Sequence, residues 1–294
     1  METLSVVEID ASTIDYTQLL LLGAIAGFTI FLGLPLAVMK NLSTRAKGFL
    51  NAFALGILVF LIIDVFSHAW ESATSAATDA SAGKAPLGDA VIDLVALFGG
   101  IAIGLLGLVL YEHRAMTKRV PQVLSLESIK QGDDHLRQSF HEISAYRLAM
   151  MIAVGIGAHN FSEGLAIGQS YAAGQIGLAI LLIIGFGAHN TTEGFGIAGP
   201  LTGVLKRPTA RFLILAGLVG GGPTFVGTVL GSLVFSNVAY ILFLSIAGGA
   251  LIYVSMLMYN AGRKQTTDNV IMIGIFVGLC AGFVTDLIVS LGGA

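Results

Sequence analysis

Two copies of one short polar pattern hold the residues of this sequence that are best suited to chemistry. In each copy a histidine is followed at once by an asparagine and, four positions on, by a glutamate: His159, Asn160 and Glu163, then His189, Asn190 and Glu193. A histidine and a glutamate four residues apart lie on one face of a helix. Imidazole, carboxylate and amide groups together suit zinc, with iron(II) or manganese as alternatives. The pattern therefore predicts one metal site built from two facing helices.

The surroundings of the two copies place this site inside a membrane. Both copies lie in apolar stretches long enough to cross a bilayer, where ionisable side chains are costly and mark functional sites. His159 falls about 18 Å and His189 about 21 Å along their helices, near the middle of a hydrocarbon core about 30 Å thick. A single histidine in a membrane helix is more often a hydrogen-bonding residue than a ligand. Two copies at similar depth on antiparallel neighbours favour the metal site.

The composition predicts an integral membrane protein. Of 294 residues, 55% are hydrophobic and only 11% are charged, whereas a soluble domain has about 25% charged residues. We therefore expect an all-α, polytopic fold in which residues 1–294 form a single transmembrane domain, with no nucleic-acid partner. Eight apolar runs are long enough to span a bilayer: 18–39, 46–68, 91–112, 147–170, 175–199, 211–234, 237–259 and 269–291.

The distribution of basic residues predicts how these eight runs cross the membrane. Of 15 Lys and Arg residues, only Lys84 falls on one side when eight runs are threaded. The positive-inside rule then places both termini outside the cytoplasm, and we expect the plasma (cell inner) membrane. The polar segment 113–146 is the longest cytoplasmic loop. The runs group as three, two and three, and the outer groups then run in opposite orientations, as in transporters with inverted repeats.

A second set of polar residues lies near the external ends of two runs. Asp64 and His68 lie in the outer part of the second run, and Asp286 lies in the last run. Acidic groups at that depth could form an entrance that attracts cations. The alternative, a solvated helix end, stays open for Asp64 and Asp286, and it is the interpretation we favour for Glu71.

The segments His159–Gly168 and His189–Gly194 resemble the fourth- and fifth-helix signatures of the ZIP (Zrt/Irt-like) divalent metal transporters. The resemblance extends in plan to the eight spans, the external termini, the long cytoplasmic loop and the acidic residues near the outer mouth. It implies import of a divalent cation, zinc before iron(II), manganese or cadmium, by a protein that is not an enzyme and has no cofactor. It also implies that Glu163 and Glu193 bridge two metals, one favoured by the histidines and the other by the asparagines.

Two departures from the family pattern affect these expectations. Family members often have proline before the motif glutamate, where this chain has Ser162 and Thr192. Some relatives also carry a glutamate before a proline in the sixth helix, whereas the comparable stretch here, 220–223, is Gly-Gly-Gly-Pro and offers no carboxylate. The second departure leaves the number of bound metals, one or two, open.

Other functions and partners remain open from the residues alone. An intramembrane metal-dependent hydrolase would use the metal to activate water, with Glu163 or Glu193 as the base. A metal sensor would bind without transport. Glycine-rich helix surfaces allow a homodimer without requiring one. The loop histidines His113, His135 and His141 are of a kind that is usually solvated, and we expect no metal site from them.

Overall fold

The computed structural model describes residues 15–39, 43–119, 134–172, 176–204, 206–233, 236–263 and 266–291, and every regular element in those ranges is helical. This confirms the predicted all-α fold. The long helices of the described ranges are α1 Tyr16–Phe28, α2 Thr44–Ser81, α3 Leu87–Arg119, α4 Asp134–Ala172, α5 Ile176–Ala198, α6 Ala210–Gly231, α7 Asn237–Gly262 and α8 Asp268–Leu291.

Two of these helices continue into tighter turns. After a break at Thr29, α1 is followed by the short helix Ile30–Gly33 and the 3-10 turn Leu34–Val38. At the end of α5, the 3-10 turn Gly199–Gly203 contains Pro200, as expected where a proline stops a regular helix. Both turns lie at the same end of the protein, where they contact each other.

Six helices of the described part are long and apolar enough to cross a membrane: α1 with its continuation, α2, α3, α6, α7 and α8. The chain is therefore an integral membrane protein. The helices α4 and α5 carry the two polar copies, whose His, Asn and Glu residues lower the hydropathy of the surrounding segment. That α4 and α5 also span the membrane, and that the spans group as three, two and three, stays a prediction.

Two predicted loops are shorter than the sequence suggested. The Ser, Ala, Thr and Gly residues of 71–90, with Pro86, predict a flexible external loop between the second and third apolar runs. This segment is helical except for 82–86, because α2 runs on to Ser81. In this extension, hydroxyl groups donate back to carbonyls one turn earlier, such as Thr78 to Thr74 at 2.9 Å. Of the cytoplasmic loop expected over 113–146, both ends are helical, since α3 reaches Arg119 and α4 begins at Asp134. Residues 120–133 lie outside the described ranges.

Glycines allow α4 and α6 to pack backbone against backbone. A methyl group added to Gly164 would collide with the carbonyl oxygen of Thr224, and one added to Gly168 would collide with that of Thr228. On the facing surface of α6, a methyl group added to Gly227 would likewise collide with the backbone of α4. Small residues at a helix contact are what allows such a close approach in membranes. The helix that carries the first polar copy is therefore held firmly against α6.

Similar glycine contacts sort the described helices into two groups. The first group, α1 with α4, α5 and α6, is joined by backbone contacts of Gly27 with Gly221 and of Gly33 with Gly194. The second group comprises α2, α3, α7 and α8, in which α2 packs on α8 and α3 packs on α7. Their backbone contacts involve Gly56, Gly104, Gly249 and Gly278. Glycine contacts between the groups, such as that of Gly155 with Ala250, are made with side chains instead.

The second group has a feature that inverted repeats would produce. Gly100 and Gly104 of α3 approach the backbone of α7, and Gly274 and Gly278 of α8 approach that of α2, with the same spacing of four residues. The pairing of α3 with α7 thus parallels the pairing of α8 with α2. The inverted-repeat relation itself stays a prediction.

Candidate metal centre

The first polar copy lies on a single buried face of α4. The Nε2 atom of His159 is 3.2 Å from Oε1 of Glu163, one turn further along the helix. Both side chains are buried, with 3% and 6% of their surface exposed, and Asn160 beside them is completely buried. The i,i+4 relation therefore places the imidazole and the carboxylate together, as the spacing predicts.

The second copy meets the first through Glu193. This fully buried glutamate of α5 accepts a hydrogen bond at Oε2 from Asn160 Nδ2, at 2.9 Å. Its Oε1 is 4.0 Å from Nε2 of His159. The structure therefore brings His159, Asn160, Glu163 and Glu193 into one cluster. Because a buried carboxylate requires a charge or hydrogen-bond partner, the two glutamates and the imidazole of His159 hold one another in place.

The two asparagines are anchored through their amide nitrogens to different helices. Asn160 Nδ2 also donates to the carbonyl oxygen of Gly220 in α6, at 3.0 Å, and Asn190 Nδ2 donates to that of Ala26 in α1, at 2.7 Å. The Oδ1 atoms of both asparagines are buried and have no hydrogen-bond partner within the described ranges. Buried polar atoms are rarely left unpaired. These oxygens are acceptors that a cation could use.

The roles of Ala26 and Gly220 were missed from the sequence. Both contribute only a carbonyl oxygen, which carries no signature in residue type. One signal does lie in the run of residues 220–223, where three glycines precede Pro223 inside α6 and leave the backbone there uncovered by side chains. Glycines next to such a proline let a neighbouring side chain reach the helix backbone, as Asn160 does at Gly220.

The described side chains form only part of the predicted site. The backbone of His189 lies in α5, but its side chain is outside the described set. Among the side chains that are described, no group of three His, Cys, Asp or Glu residues is arranged to hold a metal ion. The carboxylates of Glu163 and Glu193 instead contact the imidazole of His159. Of the six predicted residues, four lie in contact in the described structure: His159, Asn160, Glu163 and Glu193. Their described side chains do not form a complete set of metal ligands.

The residues predicted for the entrance lie near one another and near this cluster. Oδ1 of Asp64 is 3.4 Å from Nδ1 of His68, whose side chain is 53% exposed. Asp286 of α8 is close enough to both to interact electrostatically. Asp64 in turn interacts electrostatically with Glu163 and with Glu193. Asp64 and Asp286 are therefore within electrostatic range of each other, and Asp64 is within range of the central glutamates.

Tyr240 of α7 also interacts with these acidic residues, and the sequence analysis did not predict it. Its hydroxyl is within electrostatic reach of Asp64, Glu163 and Glu71. Tyrosine is common in membrane helices, so its type alone gave no signal. Of the loop histidines, His113 is exposed, and the side chains of His135 and His141 lie outside the described ones.

Comparison with known proteins gives the family. No curated protein matches the chain. The family model described as ZIP Zinc transporter matches residues 52–289. The matched range begins within α2, ends within α8, and contains both polar copies. The chain therefore belongs to the ZIP zinc transporter family, whose members move divalent metal cations across membranes.

Proposed function

We propose that this protein imports a divalent transition-metal cation into the cytoplasm, with zinc as the first substrate and iron(II), manganese or cadmium as alternatives. The cation would bind among six residues: His159, Asn160, Glu163, His189, Asn190 and Glu193. The observation that carries the proposal is the 2.9 Å hydrogen bond from Asn160 to Glu193, which joins the two copies in the buried interior. Such contact is what a site shared by two helices requires.

The charges of the cluster support a divalent substrate. Glu163 and Glu193 supply two carboxylates, which match the charge of one divalent cation once the cation replaces the imidazole as their partner. Nε2 of His159 would then bind the metal instead of contacting the carboxylates, since a neutral imidazole is a zinc ligand. The buried Oδ1 atoms of Asn160 and Asn190 supply neutral oxygens. A site with this many oxygen donors also accepts manganese and iron(II).

We propose that cations reach this site past Asp64, His68 and Asp286. Asp64 and Asp286 lower the potential at the outer mouth and raise the local concentration of cations there. Asp64 interacts electrostatically with both central glutamates, so it would pass the cation inward. Glu71, which is exposed, remains a solvated residue in this scheme.

For the conformational step, we propose that the two glycine-packed groups rock against each other. The two helices that carry the site both belong to the first group, α1 with α4, α5 and α6. Glycine contacts between the two groups are made with side chains. One example is Gly155, where an added methyl group would lie 3.5 Å from the Cβ atom of Ala250. Such contacts can change during rocking without the separation of tightly packed backbones. Access alternating around a fixed central site is a common transporter plan. An inside-negative potential, worth about 2.3 kcal/mol per charge per 100 mV, would favour entry.

The remaining expectations fit the same picture. The distribution of basic residues favours external termini in a plasma membrane. Residues 1–294 would form one transmembrane domain. A homodimer is compatible with this arrangement but is not required by it. An intramembrane hydrolase is not supported, because the matching family consists of transporters.

The test is metal uptake into proteoliposomes. We expect His159→Ala and Glu193→Gln to abolish uptake of zinc, and the exposed Glu71→Gln, which removes the same charge outside the centre, to leave it near the wild-type rate. Uptake of iron(II) and manganese in the same vesicles ranks the substrates. Full uptake by a folded Glu163→Ala, Glu193→Ala double variant would show that the site is wrongly assigned. Metal binding without any uptake by the wild type would favour a sensor.

A further inference from the structure

A large apolar pocket opens at the end of the bundle where α2 and α8 begin. Its volume is about 870 Å³, which falls in the range of roughly 300–1,000 Å³ that is typical of small-molecule sites. Leu36 and Phe195 line it from the first helix group, and Phe49 and Ile273 line it from the second. The pocket is separate from the metal centre, because none of its lining residues belongs to the polar copies.

Among the described lining residues, Arg45 is the charged one and Ser43 the one with a hydroxyl, and the others are apolar. Arg45 lies in the first turn of α2, and it is exposed. The described part of the chain gives it no ion-pair partner. A cation in the first turn opposes the helix dipole, whose positive end is at the N-terminus, and this turn has no acidic residue to offset it. Helix stability therefore does not account for an arginine here.

The combination of these features specifies the ligand. We propose that this pocket binds an anionic phospholipid, with an acyl chain between the two helix groups and the headgroup phosphate at Arg45. The chain is an integral membrane protein, so an apolar cavity at the ends of its helices would lie beside the lipid headgroups, within reach of their acyl chains. Arginine matches the geometry of a phosphate with two parallel hydrogen bonds. The backbone N–H groups of Thr44 and Arg45 precede Ala46, whose N–H donates to the Ser43 hydroxyl, and they add donors at the start of α2. On the proposed orientation this end is cytoplasmic, where membranes are rich in anionic lipid.

A tryptophan placed in the pocket can report which lipid occupies it. The chain has one tryptophan, Trp70, so Trp70→Phe combined with Leu36→Trp gives a single fluorophore in the pocket wall. The full-length variant is reconstituted in bilayers in which either phosphatidylglycerol or phosphatidylcholine carries brominated acyl chains, which quench tryptophan on contact. We expect phosphatidylglycerol to quench the introduced tryptophan at a lower mole fraction than phosphatidylcholine does. The native Trp70, which lies outside the pocket, should be quenched equally by both.

The role of the charge is tested by Arg45→Gln in the same background. We expect the apparent preference for phosphatidylglycerol to fall about fivefold, the change that removal of one basic residue near an anionic lipid gives. The matched control is Arg207→Gln, an exposed arginine that does not line the pocket. It should leave the preference unchanged.

The outcomes separate this proposal from its alternatives. Equal quenching by both lipids would mean that the pocket takes bilayer lipid without regard to headgroup, and this would overturn the proposal. So would a preference that Arg207→Gln reduces as much as Arg45→Gln. If Leu36→Trp fails to fold, native mass spectrometry of the unmodified chain and of Arg45→Gln decides, through retention of phosphatidylglycerol by the former and its loss from the latter. None of these measurements depends on metal transport.

Discussion

The two asparagines next to the motif histidines are identical in type and burial, but the structure predicts that they differ in importance. Asn160 Nδ2 donates to the charged Glu193 and to the carbonyl of Gly220, whereas Asn190 Nδ2 donates to the single carbonyl of Ala26. A hydrogen bond to a charged group contributes about 1.5–3 kcal/mol and a neutral one about 0.5–1.5 kcal/mol. Asn160→Ala should therefore cost about 2–4 kcal/mol, and Asn190→Ala about 1 kcal/mol.

The same difference should appear in metal affinity. Asn160 orients Glu193, and removal of a group that orients a metal ligand typically weakens binding by about 10–100-fold. Asn190 has no contact of this kind with either glutamate in the described side chains, so its substitution should weaken zinc binding less. The assay is competition of each purified variant with a zinc-sensitive dye, alongside its thermal unfolding in the same detergent.

A larger loss of affinity in Asn190→Ala than in Asn160→Ala would refute this reasoning. That result would mean that the oxygen Asn190 Oδ1 offers to the metal matters more than the orientation of Glu193 by Asn160. Asn160→Asp is informative as a further variant, because it keeps the size of the side chain but cannot donate to Glu193. It should behave like Asn160→Ala or worse, since it places a third carboxylate in the cluster.

Three further predictions concern packing, protonation and entry. Gly164→Val should lower the midpoint of thermal unfolding sharply, because the new side chain collides with the α6 backbone, whereas Gly222→Ala, with open space around it, should change it little. Zinc affinity should fall as the pH is lowered, because protons compete for His159 and for the carboxylates, and a pH titration of zinc binding that stays flat would contradict this. Asp64→Asn should raise the KM of uptake at low ionic strength more than it lowers kcat, and the difference should shrink as salt is added. A KM that is independent of salt in both proteins would count against an electrostatic entrance.

The local part of the site could be predicted because helix geometry alone produces it. Residues four apart on a helix share a face whatever the rest of the protein does, so His159 and Glu163 are neighbours from the spacing alone. The apolar composition likewise determines that most of the chain is helical, because a membrane-spanning segment must satisfy its backbone hydrogen bonds internally. The duplication of the pattern indicated the family, and the metal site that it predicts stays a prediction.

The ends of helices were predicted less well, for a reason that is also physical. The segment after the second apolar run is polar, and polarity suggested a loop over 71–90. The structure continues α2 to Ser81, and in this polar segment Ala73 still packs in one buried face with Val65 and Ala69. Hydropathy reports where a helix enters lipid, and it does not report where the helix ends in water.

The tertiary structure alone decided how the two copies are joined and oriented. The partners of the asparagines, Gly220 and Ala26, are 60 and 164 residues away along the chain, and each offers only a backbone oxygen. Which carbonyl faces which amide depends on how closely α6 and α1 approach α4 and α5, and glycines at these contacts allow that approach because they have no side chain. The sequence by itself determined which residues could bind a metal and which helix face they share. Their mutual placement required the packing, because backbone groups look alike in every residue and only contact distinguishes them.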